Sequence, residues 1–325
     1  MKKIFAILSK FFGVGLLLIL IVILIFDFNK LKLVLTQANY SYLFLALISS
    51  LISVTLAALG FVIAANIFQV DSDFRRRFKA GWLGVAMNNL IMSGGAVGYG
   101  IRIKLLESRK TRTKQIIGAS LFYSYIFQLF MVVVLPICLL YFYNSQIVFP
   151  SIVRRLILAG IVISLIMVVF FSSVFFISRF RRYFFSKLSV LFFKLFKKNW
   201  QNHFLEIDEL LSDSLSMGNI ASIVLLLFSV AADWVFCTAA LFLAFLALGV
   251  HVSVLFLFCA FVVSVAIGYI SVLPGGLGTQ DLSLTGILVL GGYDLHIAIL
   301  ASILFRLIYY IIPYAFATLY YNFSK

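Results

Sequence analysis

Long apolar runs, separated by short clusters of basic residues, fill most of the chain. A helix needs about 20 apolar residues to cross the hydrocarbon core of a bilayer, and several runs reach that length. The pattern therefore predicts an all-α, polytopic helical membrane protein with about 7–8 transmembrane helices. The helices are expected within residues 11–26, 33–70, 115–153, 156–178, 220–248, 254–272 and 296–321.

Composition agrees with this fold class and narrows the function. Of the 325 residues, 64% are hydrophobic and 11% are charged, too few charges for a soluble fold of this size. The net charge of +15 does not indicate nucleic-acid binding, because the basic residues lie between the apolar runs, where the positive-inside rule places them. The three cysteines lie singly in apolar runs without metal-ligand spacing, so we expect no metal or other cofactor.

Two glycine-rich stretches interrupt the apolar pattern. Residues 273–281 read LPGGLGTQD, and residues 93–102 read SGGAVGYGIR. Proline and clustered glycines end helices, and a broken backbone at membrane depth is tolerated only inside protein or beside a wet cavity. Interrupted helices with polar tips form the binding sites of many membrane transporters. Both stretches are therefore predicted to be re-entrant segments near a binding site.

The distribution of basic residues supports a re-entrant first segment. If residues 80–101 enter and leave on the same side, twenty basic residues lie in cytoplasmic loops and four lie outside. If the segment crosses fully, nine lie inside and fifteen outside, which the positive-inside rule disfavours. Lys2, Lys3 and Lys10 place the N-terminus in the cytoplasm. Counting four crossings between the two breaks places both breaks on the cytoplasmic side, whereas one miscounted short helix would place the second break on the other side.

The two breaks belong to a predicted, diverged internal repeat. Gly94 and Gly275 are 181 residues apart, and similar segments beginning at Ala119 and Ala301 are 182 residues apart. The linker between the halves interleaves basic and aromatic residues, which predict an amphipathic helix on the inner leaflet. The first half, the cytoplasmic linker and the second half of the single domain, 1–325, are expected at about residues 11–178, 179–218 and 219–322.

Charged residues within the apolar runs are the first candidates for function. A charge near the bilayer centre costs upward of about 2.5 kcal/mol, so Asp233, Asp281 and Arg306 each need a partner or a role. In one interpretation, Arg306 forms a structural ion pair with Asp233 or Asp281. In the other, Arg306 binds an anionic head group, because its planar guanidinium donates two hydrogen bonds to phosphate. Uncharged polar groups at similar depth are supplied by Asn88, Asn89 and Gln280.

Three features resemble the transmembrane region of lysylphosphatidylglycerol synthases. They are the LPGGLG motif of the second break, Asp281 three positions after it, and the later FRL segment around Arg306. The GGAVG and IR segments of the first break and the ADW segment around Asp233 resemble other motifs of that family. This sequence departs from the family pattern at Asp281, where glutamate is usual, and at Tyr123 and Ser124, where an arginine often stands. The resulting candidate substrate-binding residues are Asn88, Asn89, Gly94, Gly95, Arg102, Asp233, Gly275, Gly276, Gly278, Gln280, Asp281 and Arg306.

The resemblance implies the lipid-translocating part of such proteins without the aminoacyl-transfer part, because no further domain is expected after Lys325. We therefore expect a flippase or transporter of the cytoplasmic membrane, and not an enzyme, that moves an anionic or aminoacylated phospholipid. An integral-membrane enzyme, or an accessory subunit that acts on lipid head groups, stays the alternative. The expected partners are membrane phospholipids and a separate lipid-modifying enzyme.

The charge distribution predicts that residues 75–79 and 102–114 both face the cytoplasm. Single cysteines introduced as Ser72→Cys and Ser108→Cys, in a cysteine-free background, should both resist an impermeant thiol reagent in intact cells. Both should react after the membrane is opened. Labelling of Ser108→Cys alone in intact cells would contradict the re-entrant prediction.

Overall fold

A computed structural model describes residues 36, 38–90, 96–108, 111, 113–147, 149–196, 208, 209, 212, 219–271, 276 and 278–323. The helices in chain order are α1 (Tyr40–Ile67), α2 (Phe74–Leu90), α3 (Ala96–Leu106), α4 (Thr113–Asn144), α5 (Ser151–Phe176), α6 (Ser178–Phe196), α7 (Ile220–Ala247), α8 (Val254–Ile270), α9 (Thr279–Leu290), α10 (Leu295–Arg306), a π-helical turn (Leu307–Ile311) and α11 (Ile312–Phe323). The predicted first transmembrane helix, at residues 11–26, lies outside the described residues.

Within the described residues, five helical stretches are long and apolar enough to cross a membrane: α1, α4, α5, α7 and Leu295–Ala317 within the continuous stretch from α10 to α11. Helix α8 is also apolar but has 17 residues, which is at the lower end of the length that a full crossing needs. The described chain is thus a polytopic helical membrane protein, which confirms the predicted fold class.

The order and length of the helices repeat along the chain. Helices α1 and α7 each have 28 residues and begin 180 positions apart. Helices α2 and α8 each have 17 residues and also begin 180 positions apart. The next two elements also correspond in order: α3 to α9, and α4 to the stretch from α10 to α11. These bounds agree with the predicted repeat and locate it within residues 40–144 and 220–323.

The turns that end α1 and α7 have the same backbone geometry. Gln69, with φ of 51°, and Gly249, with φ of 74°, are 180 positions apart. In each turn, the amide of the next residue donates to a carbonyl of the last helical turn, Val70 to Ala65 and Val250 to Phe245. Both are helix-ending motifs with a left-handed residue. Equivalent local structures therefore end equivalent helices, although only one of the two left-handed residues is glycine.

Two hydrogen bonds between α1 and α7 show how the halves are related. The hydroxyl of Ser49 donates to the backbone oxygen of Phe236 at 2.8 Å, and that of Ser229 donates to the backbone oxygen of Leu56 at 2.6 Å. With an offset of 180, each bond is the image of the other, which is the signature of a two-fold relation. Residue numbers rise along α1 as they fall along α7, so the two helices are antiparallel. The halves therefore form an inverted repeat.

Helices of each half also pack against helices of the other half. Helix α8 of the second half packs against α4 of the first, and α2 of the first half packs against α11 of the second. Each pair of helices that flanks a break, α2–α3 and α8–α9, is thus held partly by the opposite half. The site between the halves depends on both of them.

Helices α5 and α6 lie between the two repeat units. Large apolar side chains of α5, including Ile152 and Leu156, are exposed on a crossing helix and would contact lipid. The linker begins with α6, the helix predicted there, and both Arg181 and Arg182 bind the carboxylate of Asp208. Part of the acidic segment therefore folds back onto the basic helix.

The inverted arrangement changes the expected side of the second break. Three long helices, α4, α5 and α7, separate the breaks, and the sequence-based count of four crossings included the short α8. Around the first break, ten basic residues lie at 68–79 and 102–114, whereas none lies at the equivalent 248–259 and 283–295. Because basic residues concentrate on the cytoplasmic side, we infer that the first break opens to the cytoplasm and the second to the outside.

This inference predicts opposite reactivity at equivalent turns. His251 is exposed in the turn between α7 and α8, so His251→Cys in the cysteine-free background should react with an impermeant thiol reagent in intact cells. Ser72→Cys, in the corresponding turn of the first half, is the matched control and should stay unlabelled. Protection of His251→Cys until the membrane is opened would contradict the inverted arrangement.

Candidate functional site

A carboxylate lies at the centre of the contact between the two halves. Asp233 is the fourteenth of the 28 residues of α7, and Ser53 is the fourteenth of the 28 residues of α1. The two are repeat equivalents, and the hydroxyl of Ser53 donates to the carboxylate of Asp233. Asp233 is 3% exposed. Among the ion pairs of the described residues, none involves Asp233, so its pairing with Arg306, one of the two sequence-based alternatives, does not form.

The other alternative is present in the structure. Arg306, at the end of α10, binds Asp281 in the first turn of α9 through Nε to Oδ1 at 2.9 Å and Nη2 to Oδ2 at 2.7 Å. The Nε contact is a charge-assisted hydrogen bond, which is stronger than a neutral one, and Nη2 adds an ion-pair contact. The amide of Gly278 also donates to Asp281 Oδ2, at 3.2 Å. Arg306 is buried, while about a third of the Asp281 side chain is exposed.

The π-helical turn begins directly after Arg306 and brings two tyrosines to the site. The amide of Gln280 donates to the hydroxyl of Tyr310 at 3.0 Å, and the guanidinium of Arg306 lies 4.9 Å from the centre of the Tyr310 ring. Tyr309 stacks on Phe305 and lies near Ser53. A π-helical turn inside a helix is rare and occurs frequently at functional sites. It connects the ion pair of the second break with the centre of the protein.

A small cavity lies where the two breaks approach the α1–α7 contact. It has a volume of about 40 Å³ and is lined by Asn89 at the end of α2 and Asp233 of α7. Tyrosines at the end of α8 and in the π-helical turn complete its polar lining: Tyr269, Tyr309 and Tyr310. This volume holds a few water molecules and is too small for a lipid head group. The indole nitrogen of Trp234, another lining residue, has no hydrogen-bond acceptor in the part of the chain that the structure describes.

The first break has its own polar contacts, which are uncharged. The side-chain oxygen of Asn88 accepts from the amide of Gly98 at 2.8 Å and so joins α2 to α3. The hydroxyl of Tyr99 donates to that of Ser124 at 3.0 Å. With an offset of 182, this pair is equivalent to Asp281 and Arg306. Ser124, one of the two residues where relatives often have arginine, therefore belongs to a neutral counterpart of the ion pair.

The structure groups the predicted site residues unequally. Gly276 and Gly278, with φ of 57° and 83°, form the tip of the second break beside Gln280, Asp281 and Arg306. Asn89 and Asp233 share the cavity. Arg102 is fully buried on α3, against the ring of Phe61. Three predicted residues lie outside the described residues: Gly94, Gly95 and Gly275.

Several residues at the centre of the site were not among the predicted site residues. Ser53 is one of four serines, with Ser41, Ser49 and Ser50, on a long apolar helix, and only the repeat offset relates it to Asp233. Tyr309 and Tyr310 belong to an aromatic-rich helix in which a π-helical turn has no sequence signature. A search for polar residues at equivalent positions of the two halves would have found Ser53.

Comparison with known proteins places this geometry in a family. The family model described as "Lysylphosphatidylglycerol synthase TM region" matches residues 11–317, most of the chain, and this range includes every candidate site residue. Phosphatidylglycerol lysyltransferase from Bacillus subtilis (strain 168) is 31% identical over 86 residues. That match covers 25% of this chain and 10% of the relative, so this chain matches a small part of that enzyme.

The ion pair generates a stability prediction. Arg306→Gln should lower the free energy of unfolding by about 1–3 kcal/mol, because it leaves the polar groups of a mostly buried pair unsatisfied. Adding Asp281→Asn should recover most of the loss, since removal of both charges of such a pair is often nearly neutral. Unfolding in detergent measures both variants, and Arg155→Gln, at an exposed arginine of α5, is the control. A double variant no more stable than Arg306→Gln would contradict the prediction.

Proposed function

We propose that this chain, which belongs to the family of lysylphosphatidylglycerol synthase transmembrane regions, moves an anionic or aminoacylated phospholipid across the cytoplasmic membrane. Its multi-pass helical architecture and its family support a protein that interacts with membrane phospholipids. The N-terminus is proposed to lie in the cytoplasm. A separate lipid-modifying enzyme is the partner that would supply an aminoacylated substrate.

One observation carries the proposal: the ends of α2 and α8, which adjoin the breaks of an inverted repeat, line a small cavity beside Asp233, midway along α7. Asn89 adjoins the first break and Tyr269 adjoins the second, and both line this cavity. Transporters built from inverted repeats bind their substrates near the bilayer midplane, where discontinuous helices meet. A cavity reached from opposite sides by two equivalent segments is the arrangement that alternating access requires.

The ion pair of Arg306 and Asp281 is the proposed head-group site of the second half. Guanidinium groups can bind phosphate through two parallel hydrogen bonds. Arg306 already contacts both oxygens of the Asp281 carboxylate, through a hydrogen bond from Nε and an ion-pair contact of Nη2. A lipid phosphate would replace Asp281 on Arg306. The released, partly exposed carboxylate would then accept the ammonium group of an aminoacylated head group.

Transport requires the cavity to open, because a volume of about 40 Å³ does not admit a head group. We propose that α1 and α7 stay fixed, joined by the bonds of Ser49 and Ser229, while the segments α2–α3 and α8–α9 move in turn. The acyl chains would stay in the bilayer, so only the polar head group needs the protein interior.

A head-group-resolved flip assay tests this function. The purified chain is reconstituted into phosphatidylethanolamine vesicles that carry traces of tail-labelled phosphatidylglycerol, lysyl-phosphatidylglycerol or phosphatidylcholine. Chemical reduction of the outer-leaflet label then measures the rate of exchange between leaflets. Wild-type protein should accelerate exchange of the first or second lipid relative to phosphatidylcholine. A rate equal to that of protein-free vesicles would contradict transport, and a changed head-group mass in recovered lipid would favour the enzyme alternative.

The same assay tests the role of Arg306. The double variant Arg306→Gln, Asp281→Asn should fold yet transport at least about tenfold more slowly, equivalent to about 1.4 kcal/mol of lost interaction. Arg306→Lys should be partly active, because lysine keeps the charge without the planar fork. Full activity of the double variant would assign the ion pair to helix packing alone.

A further inference from the structure

Besides Arg306 in the second half, the first half has a buried arginine, Arg102, without a hydrogen-bond acceptor among the described residues. Arg102 on α3 is 0% exposed, and its Nε, Nη1 and Nη2 atoms have no hydrogen-bond partner among the described residues. It also takes part in no ion pair of that part of the chain. Buried polar groups are almost always hydrogen-bonded, and buried charges are normally paired. A guanidinium with all of its nitrogens unsatisfied therefore needs an explanation.

Aromatic contacts compensate this charge only in part. The guanidinium lies 4.1 Å from the ring centre of Phe61 on α1 and 5.3 Å from that of Tyr123 on α4. Such contacts contribute about 0.5–2 kcal/mol each. One unsatisfied buried donor costs about 1–3 kcal/mol, more when it is charged, and the guanidinium has five N–H donors. The rings hold the cation in place but do not satisfy its hydrogen bonds.

The backbone of α2 makes room for this side chain. A Cβ atom at Gly84 would lie 2.6 Å from Nε of Arg102, so a larger residue there would displace the guanidinium. Three helices enclose the Arg102 side chain: α2 with Gly84, α1 with the ring of Phe61 and α4 with the ring of Tyr123. The enclosure lies between the first break and the basic loop at 107–112, on the side inferred to be cytoplasmic.

The two halves differ in how their arginines are neutralised. Arg306 binds a carboxylate of its own half, whereas the contacts of the Arg102 guanidinium among the described residues are with aromatic rings. An anion entering the first half therefore meets a cation with unused donors, while an anion entering the second half must displace Asp281. The unpaired cation favours an anionic ligand, and its fork of donors fits the oxygens of a phosphate.

We propose that Arg102 is a phosphate-binding residue that receives the phosphate of a phospholipid from the cytoplasmic side when α2–α3 moves away from α1. This proposal rests on the proposed function and adds a binding site in the first half, separate from the ion pair of Arg306. The phosphate would accept the hydrogen bonds that the described residues leave unused. Arg102 and Arg306 would then bind the head group in succession, one in each half.

Binding and stability together test the proposal. The full chain in phosphatidylcholine nanodiscs is titrated with dioctanoyl phosphatidylglycerol, with dioctanoylglycerol, which lacks the phosphate, and with inorganic phosphate. Arg102→Met and Arg102→Gln should weaken phosphatidylglycerol binding at least about tenfold, or about 1.4 kcal/mol. Arg102→Lys should be intermediate, because lysine lacks the fork. Lys104→Gln removes an exposed charge from the same helix and should bind like wild type.

The melting temperature separates binding from packing. Removal of an unpaired buried charge should leave the melting temperature of Arg102→Met unchanged or raise it. A lower melting temperature together with weaker binding would assign Arg102 to packing and overturn the proposal. Wild-type affinity in Arg102→Met, or equal affinity of wild type for dioctanoylglycerol and the phospholipid, would also overturn it. Binding of inorganic phosphate alone would overturn the lipid as its source.

The proposed function and this site can fail separately. Lipid binding that depends on Arg102, without acceleration of lipid exchange by wild type, would overturn transport and support the site. Acceleration of exchange by wild type, with unchanged binding and exchange in Arg102→Met, would support transport and overturn the site.

Discussion

The antiparallel contact between α1 and α7 is the interaction on which the rest of the structure depends. Lipid chains are as apolar as the helix surfaces, so helices in a membrane associate through close packing and hydrogen bonds between them. Here Ser49 and Ser229 bind carbonyl oxygens of the opposite helix, and Ser53 binds the carboxylate of its own repeat equivalent, Asp233. The contact fixes the inverted relation of the halves, in which the ends of α2 and α8, next to the two breaks, line one cavity.

The buried charges are neutralised differently in the two halves of the inverted repeat. In the second half, the charges of Arg306 and Asp281 neutralise each other, and the pair is connected to the cavity through Tyr310. In the first half the equivalent pair is neutral, and the cation is Arg102, held by aromatic rings. Unsatisfied buried charge lowers stability, and proteins keep such groups where function needs them. The asymmetry therefore marks the half in which an anion gains most from binding.

Periodicity, charge and break motifs predicted a large part of this protein. The fold class followed from the apolar runs, and the repeat followed from two offsets near 181. Arg306 and Asp281 were recognised because charges are rare at that depth. The side of the second break depends on whether the 17-residue α8 is counted as a crossing. The sequence-based count included it, whereas the inverted relation of the halves and the lack of lysine and arginine around the second break favour the outside.

Local patterns were sufficient for helices and breaks because these depend on residues close together in the chain. The choice of partner did not follow from them. Arg306 had two acidic candidates, and only the packing of α9 against α10 placed Asp281 within reach and left Asp233 to Ser53, 180 positions away. The unsatisfied hydrogen-bond donors of Arg102 likewise depend on the packing of helices that are distant in sequence. The same holds for the cavity at Asn89. A buried charge is visible in a sequence, but its neutralisation depends on three-dimensional neighbours.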